Sequence, residues 1–355
     1  MPRSFLILIA LVSQQLWVSF AAAQSHWIFV DQKEAKCELR DLGKGGIVSP
    51  TLLGTRAWFG DRLSFRCSYY VATQPLSSNL NAIANDGVFI VDGSSAFYRY
   101  NVAFFDSDEN LVAAHGMGLP NDSSVTDRLW YTAAMPIPVG FHRCIDSYKV
   151  AYFESDEPIG KAAIAKNADA EDAGRSQWKS DGELRGKPFP IRKGTRLLHS
   201  PRGENWRAET KDGSCSLTVK VTSDADRQRL SSDKEPAAEL GEKLALKAWC
   251  SHFLIDEENS IEVHARFENT IEKKMYGKFY LAFFDARGNL VGGTEQEFIA
   301  EPKGTYPATK AGDPVLPETV LMQMPIPLGF ENTITSYKCT LYESASPIGA
   351  TPATK

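Results

Sequence analysis

Polar and apolar residues alternate through much of the chain. Ile261-Glu262-Val263-His264-Ala265-Arg266-Phe267 places an apolar side chain at every second position, which predicts a strand wet on one face and buried on the other. Phe97–Phe105 and Lys278–Phe284 are short runs of aromatic and branched residues, the composition of a half-buried pleat. Both end in turn chemistry, Asp106-Ser107-Asp108-Glu109-Asn110 and Asp285-Ala286-Arg287-Gly288-Asn289. Arg287-Gly288-Asn289 therefore reads as a hairpin tip with the next strand starting at Leu290. Ile145–Phe153 and Ile334–Tyr342 predict two further strands. The Pro-Ile-Pro steps before them, Pro136 to Pro138 and Pro325 to Pro327, forbid a helix interior or a fully bonded central strand. They are expected where the chain crosses between sheets.

The pattern is written twice. Ala103-Phe104-Phe105-Asp106 with Asn110-Leu111-Val112 returns as Ala282-Phe283-Phe284-Asp285 with Asn289-Leu290-Val291. Met135-Pro136-Ile137-Pro138, Gly140-Phe141 and Ser147-Tyr148-Lys149 return as Met324-Pro325-Ile326-Pro327, Gly329-Phe330 and Ser336-Tyr337-Lys338. The two phrases stand further apart in the second copy, and that insertion belongs in a loop, because one inside a paired strand would shift every later side chain.

Short strands, turn signals and no convincing amphipathic helix within either copy predict an all-β chain of two tandem antiparallel sandwiches. Leu281-Ala282-Phe283-Phe284-Asp285, followed by a Gly-Asn turn and Leu290-Val291, resembles the naming motif of the FxLYD-type immunoglobulin-like domains of secreted bacterial proteins. The resemblance implies a sandwich with a binding or structural role and brings no catalytic residues.

Composition adds a compartment. Met1–Gln24 holds one basic residue, Arg3, an apolar run from Phe5 to Val12 and the small residues Ala21-Ala22-Ala23, the layout of a secretory signal peptide. Ser13-Gln14-Gln15 interrupts the run well short of the roughly 20 residues that a membrane span needs. The expected organisation is a signal peptide over 1–24, a first sandwich over 25–160, a linker over 161–200 and a second sandwich over 201–355. The expected location is the periplasm or the cell exterior, with no membrane span in the mature chain. A net charge of −5 over 355 residues is mild and points to no nucleic-acid partner. The linker starts Ala-rich, with a short helix expected within 161–174, and ends with Arg185, Lys187, Arg192, Lys193 and Arg196 among prolines. It reads as a solvated connection, with a patch for anionic polysaccharide or lipid headgroups as the sharper alternative.

Export would place the six cysteines where thiols pair. If the segments around them are neighbouring antiparallel strands, Cys37 meets Cys67 and Cys215 meets Cys250. Cys144 and Cys339 do not correspond, and they are left as free thiols, an inter-domain bridge or partners of the others.

Candidate chemistry is sparse. His115-Gly116-Met117-Gly118 has the look of an esterase oxyanion loop, but no Gly-x-Ser-x-Gly elbow supplies a nucleophile, and a plain loop is expected. The histidines show no metal-binding spacing. Asp106, Asp108 and Asn110 have the opening rhythm of a calcium loop, but the glycine and the distal glutamate of such a loop are missing. No cofactor is expected, calcium being the one cation considered. Asn121-Asp122-Ser123 is a glycosylation sequon. The reading that follows is an exported, non-catalytic binding or structural protein with a protein or glycan partner. The alternative is an exported hydrolase with its site in the cleft between copies, where residues present in one copy only could meet.

Overall fold

The computed structural model describes residues 28–36, 56–59, 63–77, 80–91, 97–118, 128–138, 140–155, 189–198, 206–215, 217, 238–255, 260–305, 318–326 and 330–346. The signal segment, the Ala-rich stretch, Arg185, Lys187, Cys37 and the Asn121 sequon lie outside the described residues.

The chain forms antiparallel strands joined by turns. They are β1 (Ile28–Lys36), β2 (Arg56–Phe59), β3 (Leu63–Ser77), β4 (Leu80–Val91), β5 (Phe97–Phe105), β6 (Leu111–Gly118), β7 (Arg128–Pro138) and β8 (Ser147–Ser155), then β9 (Thr195–Leu197), β10 (Trp206–Ser214), β11 (Ala238–Leu240), β12 (Leu246–Ile255), β13 (Ser260–Asn269), β14 (Met275–Asp285), β15 (Leu290–Ala300), β16 (Glu318–Pro325) and β17 (Ile334–Ser344). Sheet I runs β1-β8-β5-β6 and sheet II β2-β3-β4-β7; sheet III runs β15-β14-β17-β10-β9 and sheet IV β11-β12-β13-β16. With β9 set aside, sheets I and III share one strand order, as do sheets II and IV. Among the described residues the only helical pieces are the 3-10 turns Phe141–Cys144 and Glu331–Thr333, and no helix is long and apolar enough to cross a membrane. The all-β antiparallel fold expected from the alternation is the one that forms.

Local details follow from residue chemistry. The Pro-Ile-Pro segment of the first copy ends β7, which is an edge strand of sheet II, where a missing N–H can face away from the ladder. The chain then passes through the 3-10 turn and enters sheet I at β8, so the crossing lies where the prolines placed it. Pro325 likewise ends the edge strand β16 before β17 enters sheet III. The longer connection of the second copy falls between β15 and β16, over 301–317, against 119–127 between β6 and β7.

Sheets III and IV enclose an aromatic core. Phe267 of β13 stacks on Phe298 of β15 with centroids 3.7 Å apart and meets Phe279 of β14 edge-on at 6.0 Å. Gly277 makes room for that ring, since a Cβ there would lie 2.1 Å from Phe298. Ile261, Val263, Ala265 and Phe267 are buried as the alternation requires. Glu262, expected on the wet face, is buried beside the His264 ring, whose Nε2 lies 3.4 Å from its carboxylate.

Three expectations are corrected. Cys215 and Cys250 are free thiols, as are Cys144 and Cys339. The premise of neighbouring strands fails for Cys215 and Cys250, because β10 and β12 belong to different sheets; the expected Cys37 to Cys67 bridge lies outside the described residues. Cys144 ends the 3-10 turn that precedes β8. His115 to Gly118 is the end of strand β6 and not a loop. The end of the solvated connection is packed structure: β9 adds an edge strand to sheet III by pairing with β10, and Phe189 joins the hydrophobic core.

Candidate functional site

Sheets I and III pack face to face through β5, β6 and β8 on one side and β14, β15 and β17 on the other. Each sheet reaches the other through its twice-written phrase. Lys149 Nζ donates to the Gly288 carbonyl at 2.9 Å, and Lys338 Nζ donates to the Glu109 carbonyl at 2.9 Å. Phe141 meets Tyr342 edge-on at 4.8 Å, and Phe330 meets Phe153 edge-on at 5.0 Å. Phe105 and Phe284, which hold the same place in their phrases, approach to 6.2 Å. The contacts are thus reciprocal, as in a two-fold dimer whose protomers share one chain.

The turns that accept the lysines are held rigid from within. Asp106 Oδ1 accepts the N–H groups of Asp108 and Asn110, and its Oδ2 accepts the Asn110 amide at 2.9 Å. Asp285 binds Arg287 and Asn289 in the same way. Position Glu109, with φ 61°, is left-handed, as is Gly288 at 77°. The Asp106-Asp108-Asn110 rhythm considered for calcium is therefore a hydrogen-bonded turn, its Asn110 amide oxygen taken by Arg196 Nε at 2.8 Å and Arg192 Nη1 at 3.3 Å.

Those two arginines belong to a clasp, residues 189–198. The Phe189 ring lies 5.2 Å from both Phe105 and Phe284, with Lys149 Nζ 3.9 Å and Lys338 Nζ 4.4 Å from its centroid. Arg192 also donates to the Asp108 carbonyl and pairs with Glu109, while Arg196 pairs with Asp212 at 2.8 Å. Asp212 also faces Lys338 at 3.3 Å. Burial lowers the Lys338 pKa, against the pull of Asp212. The basic patch is corrected accordingly: Arg192 and Arg196 bind the protein itself, and Lys193 alone of the described three is exposed.

Away from the clasp, residues found in one copy only do meet. His115 Nδ1 lies 3.7 Å from Glu295 Oε1 across the seam. Lys278, buried to 2% exposure, pairs with Glu295 Oε2 at 3.1 Å and Glu297 Oε1 at 3.0 Å. Asn101 Nδ2 donates to the Val291 carbonyl at 2.9 Å, and the Tyr280 hydroxyl donates to the Pro136 carbonyl. Burial, with the nearby Arg99 and Lys278 charges, pushes the His115 pKa down to about 4. Burial raises Glu295 to about 6 although Lys278 opposes it. At neutral pH the seam thus holds a neutral imidazole beside a carboxylate. Among the described residues no three His, Cys, Asp or Glu side chains gather as a metal site. Burial raises Cys144 to about 11 and Cys215 and Cys250 to about 12, so none is a ready nucleophile.

No family model matches the chain, and no curated protein matches it. Among solved structures, one described as carbohydrate-binding modules from the β-sandwich superfamily is 10% identical, with a TM-score of 0.14, covering 79% of this chain and 91% of the other. A structure of infectious bursal disease virus, Gx strain, is 10% identical with a TM-score of 0.14, over 90% of this chain and 66% of the other. BuGH86 in complex with neoagarooctaose is 8% identical with a TM-score of 0.09, over 82% and 36%. Scores this low carry no argument about fold or function.

Sequence reasoning missed Arg99, Asn101, Lys149, Lys278 and Lys338. The signal for Lys149 and Lys338 was present, since both stand in the repeated phrase and neither is exposed.

Proposed function

We propose that this is an exported, non-catalytic binding protein made of two β-sandwich units that arose by duplication, with a protein or glycan ligand held at the seam between sheets I and III. The observation that carries this reading is the division of labour at the seam. The residues common to both copies, the two turns and the two lysines, lock the sheets together, whereas the polar groups beyond the lock, Arg99, Asn101, His115 and Glu295, differ between copies. Duplicated chemistry anchors the seam at its turns; among the groups that differ between copies, Asn101 and Tyr280 add further bonds across it, and the partly exposed His115 and Glu295 pair is left for recognition. Screening the mature chain against glycan and protein arrays, followed by titration calorimetry, tests it. Saturable binding lost on altering seam residues is expected, and binding insensitive to every seam substitution refutes it.

A hydrolase is the second reading, favoured by the His115 and Glu295 pair 3.7 Å apart across the seam. It requires turnover on a hydrolase panel that disappears in His115→Ala.

A further inference from the structure

The outer face of sheet IV carries a row of side chains that the seam does not use. Ala238, Leu240, Ala248, Cys250, Ala265 and Phe267 turn into the core, so the residues alternating with them lie on the opposite face. Glu239 of β11, Trp249 of β12 and Arg266 of β13 stand side by side across three strands. Lys247 and Glu268 stand opposite each other in the next row. Glu239 and Glu268 are exposed, and Trp249, Arg266 and Lys247 are partly so. Among the described residues none of these five side chains makes a hydrogen bond, ion pair or ring contact. Further along the face Glu262 is buried beside His264, so its charge is not presented. The matching ladder of sheet II reads Trp58, Arg66, Val88 and Trp130, against Glu239, Trp249, Arg266 and Thr319 here. No place agrees, so the fold does not ask for this row. A tryptophan on the wet face also forgoes the burial by which a large ring stabilises a core.

We propose that this face is a docking platform for a neutral glycan, one pyranose stacking on Trp249 while its equatorial hydroxyls donate to Glu239 on one side and accept from Arg266 on the other. Glu239 and Glu268 balance Arg266 and Lys247, so a uronate, a sulfate or a basic peptide meets one repelling charge for each attracting one. The apolar area is a single ring with charged neighbours on both adjoining strands. That is too little for the enclosed pocket in which a protein partner anchors an apolar side chain. A sugar has one flat apolar face rimmed by hydroxyls, and hydroxyls pair with ionised groups through charge-assisted bonds. Cross-strand neighbours sit about 5 Å apart, so Glu239 and Arg266 rise beside the indole and meet hydroxyls that leave the sugar in the plane of its ring. The platform is open to solvent, on the side of sheet IV away from sheet III, and it stands independently of binding at the seam.

Calorimetric titration of the full chain with a β-1,4-linked glucose hexamer, whose ring hydroxyls are all equatorial, tests it. Saturable binding is expected, weaker by about tenfold in Trp249→Ala, which loses the stacked ring, and by about tenfold in Arg266→Met, which loses a charge-assisted bond. Trp249→Tyr keeps a ring for stacking and should retain most of the affinity. The mannose hexamer, with one axial hydroxyl on each ring, should bind less well than the glucose hexamer. Absent binding of the glucose hexamer, tighter binding of polygalacturonate or of a sulfated glycan, or full affinity in a folded Trp249→Ala overturns the assignment. Should Trp249→Ala fail to fold, Arg266→Met decides alone, and full affinity there overturns it. Hexamer binding lost in His115→Ala but kept in Trp249→Ala overturns this platform and leaves the seam reading standing.

Discussion

Replacing Phe189 with alanine separates a clasp from a passive connection. The ring is partly buried, so its truncation falls below the roughly 3–5 kcal/mol of a fully buried Phe→Ala change; about half, near 2 kcal/mol, is a fair share. Its contacts with Phe105 and Phe284, both at 5.2 Å, are worth about 0.5–1.5 kcal/mol each beyond area. Two ammonium groups at 3.9 and 4.4 Å add about 0.5–1 kcal/mol each. These contributions overlap, which gives an expected loss of about 2–4 kcal/mol. Urea unfolding followed by tryptophan fluorescence reads this directly, and with m near 3 kcal/mol/M the midpoint falls by about 1 M. Phe189→Leu keeps apolar contact but loses the ring face, so it should lie between the two. A midpoint shift below about 0.3 M for the alanine variant would show that 189–198 does not hold the sheets together, and the clasp would have to be given up.

Other outcomes follow from the same seam. The His115 pKa falls from 6.5 to about 4 on folding, so its contribution to stability is complete above pH 6.5 and is lost as pH drops toward 4. Glu295 rises from 4.5 to about 6 and has the opposite slope, stabilising less as pH climbs through that window. Because the His115 shift is larger, wild-type Tm should rise with pH across this range, and His115→Gln should reverse the trend. Glu109→Gly relieves a left-handed residue whose cost is roughly 1–2 kcal/mol against glycine's entropy of roughly 0.5–1 kcal/mol. A gain of about 0.5–1 kcal/mol in chemical denaturation is expected, and a loss would mean that the Glu109 side chain carries weight of its own. Tyr342→Phe removes the hydroxyl that donates to the Val112 carbonyl at 2.7 Å and orphans that oxygen, lowering stability by about 1–2 kcal/mol in the same assay. Cys250 and Cys339, both 0% exposed, should resist a thiol reagent in native buffer and react once urea is added; reaction without denaturant would refute their burial.

The strands, their turns and the proline-marked crossings were legible because each is local. Alternation, an Asp-x-x-x-Asn turn and a missing N–H act within a few residues of themselves. What escaped is the identity of the second face. Arg99 and Asn101 alternate with Tyr98, Tyr100 and Val102 as a solvated face would, yet that face meets sheet III and not water. Period-two patterning separates the sides of a sheet without saying what covers each. Phe189 was hidden for a related reason, since a lone aromatic among prolines and arginines has no period, and its partners are far away in sequence. The expected Cys215 to Cys250 bridge failed on topology, because a spacing that suits neighbouring strands also suits strands of different sheets.

Both lysines that cross the seam end on main-chain oxygens, those of Gly288 and Glu109. A peptide carbonyl is the same whatever residue carries it. The two turn interiors, Ser107-Asp108-Glu109 and Ala286-Arg287-Gly288, could therefore lose all likeness while Asp106, Asn110, Asp285 and Asn289 stayed fixed. What the grip between the sheets asks of each loop tip is a left-handed backbone that turns its carbonyl toward the lysine, a demand on the main chain that leaves the side chains at Ser107, Asp108, Ala286 and Arg287 outside the lysine contact.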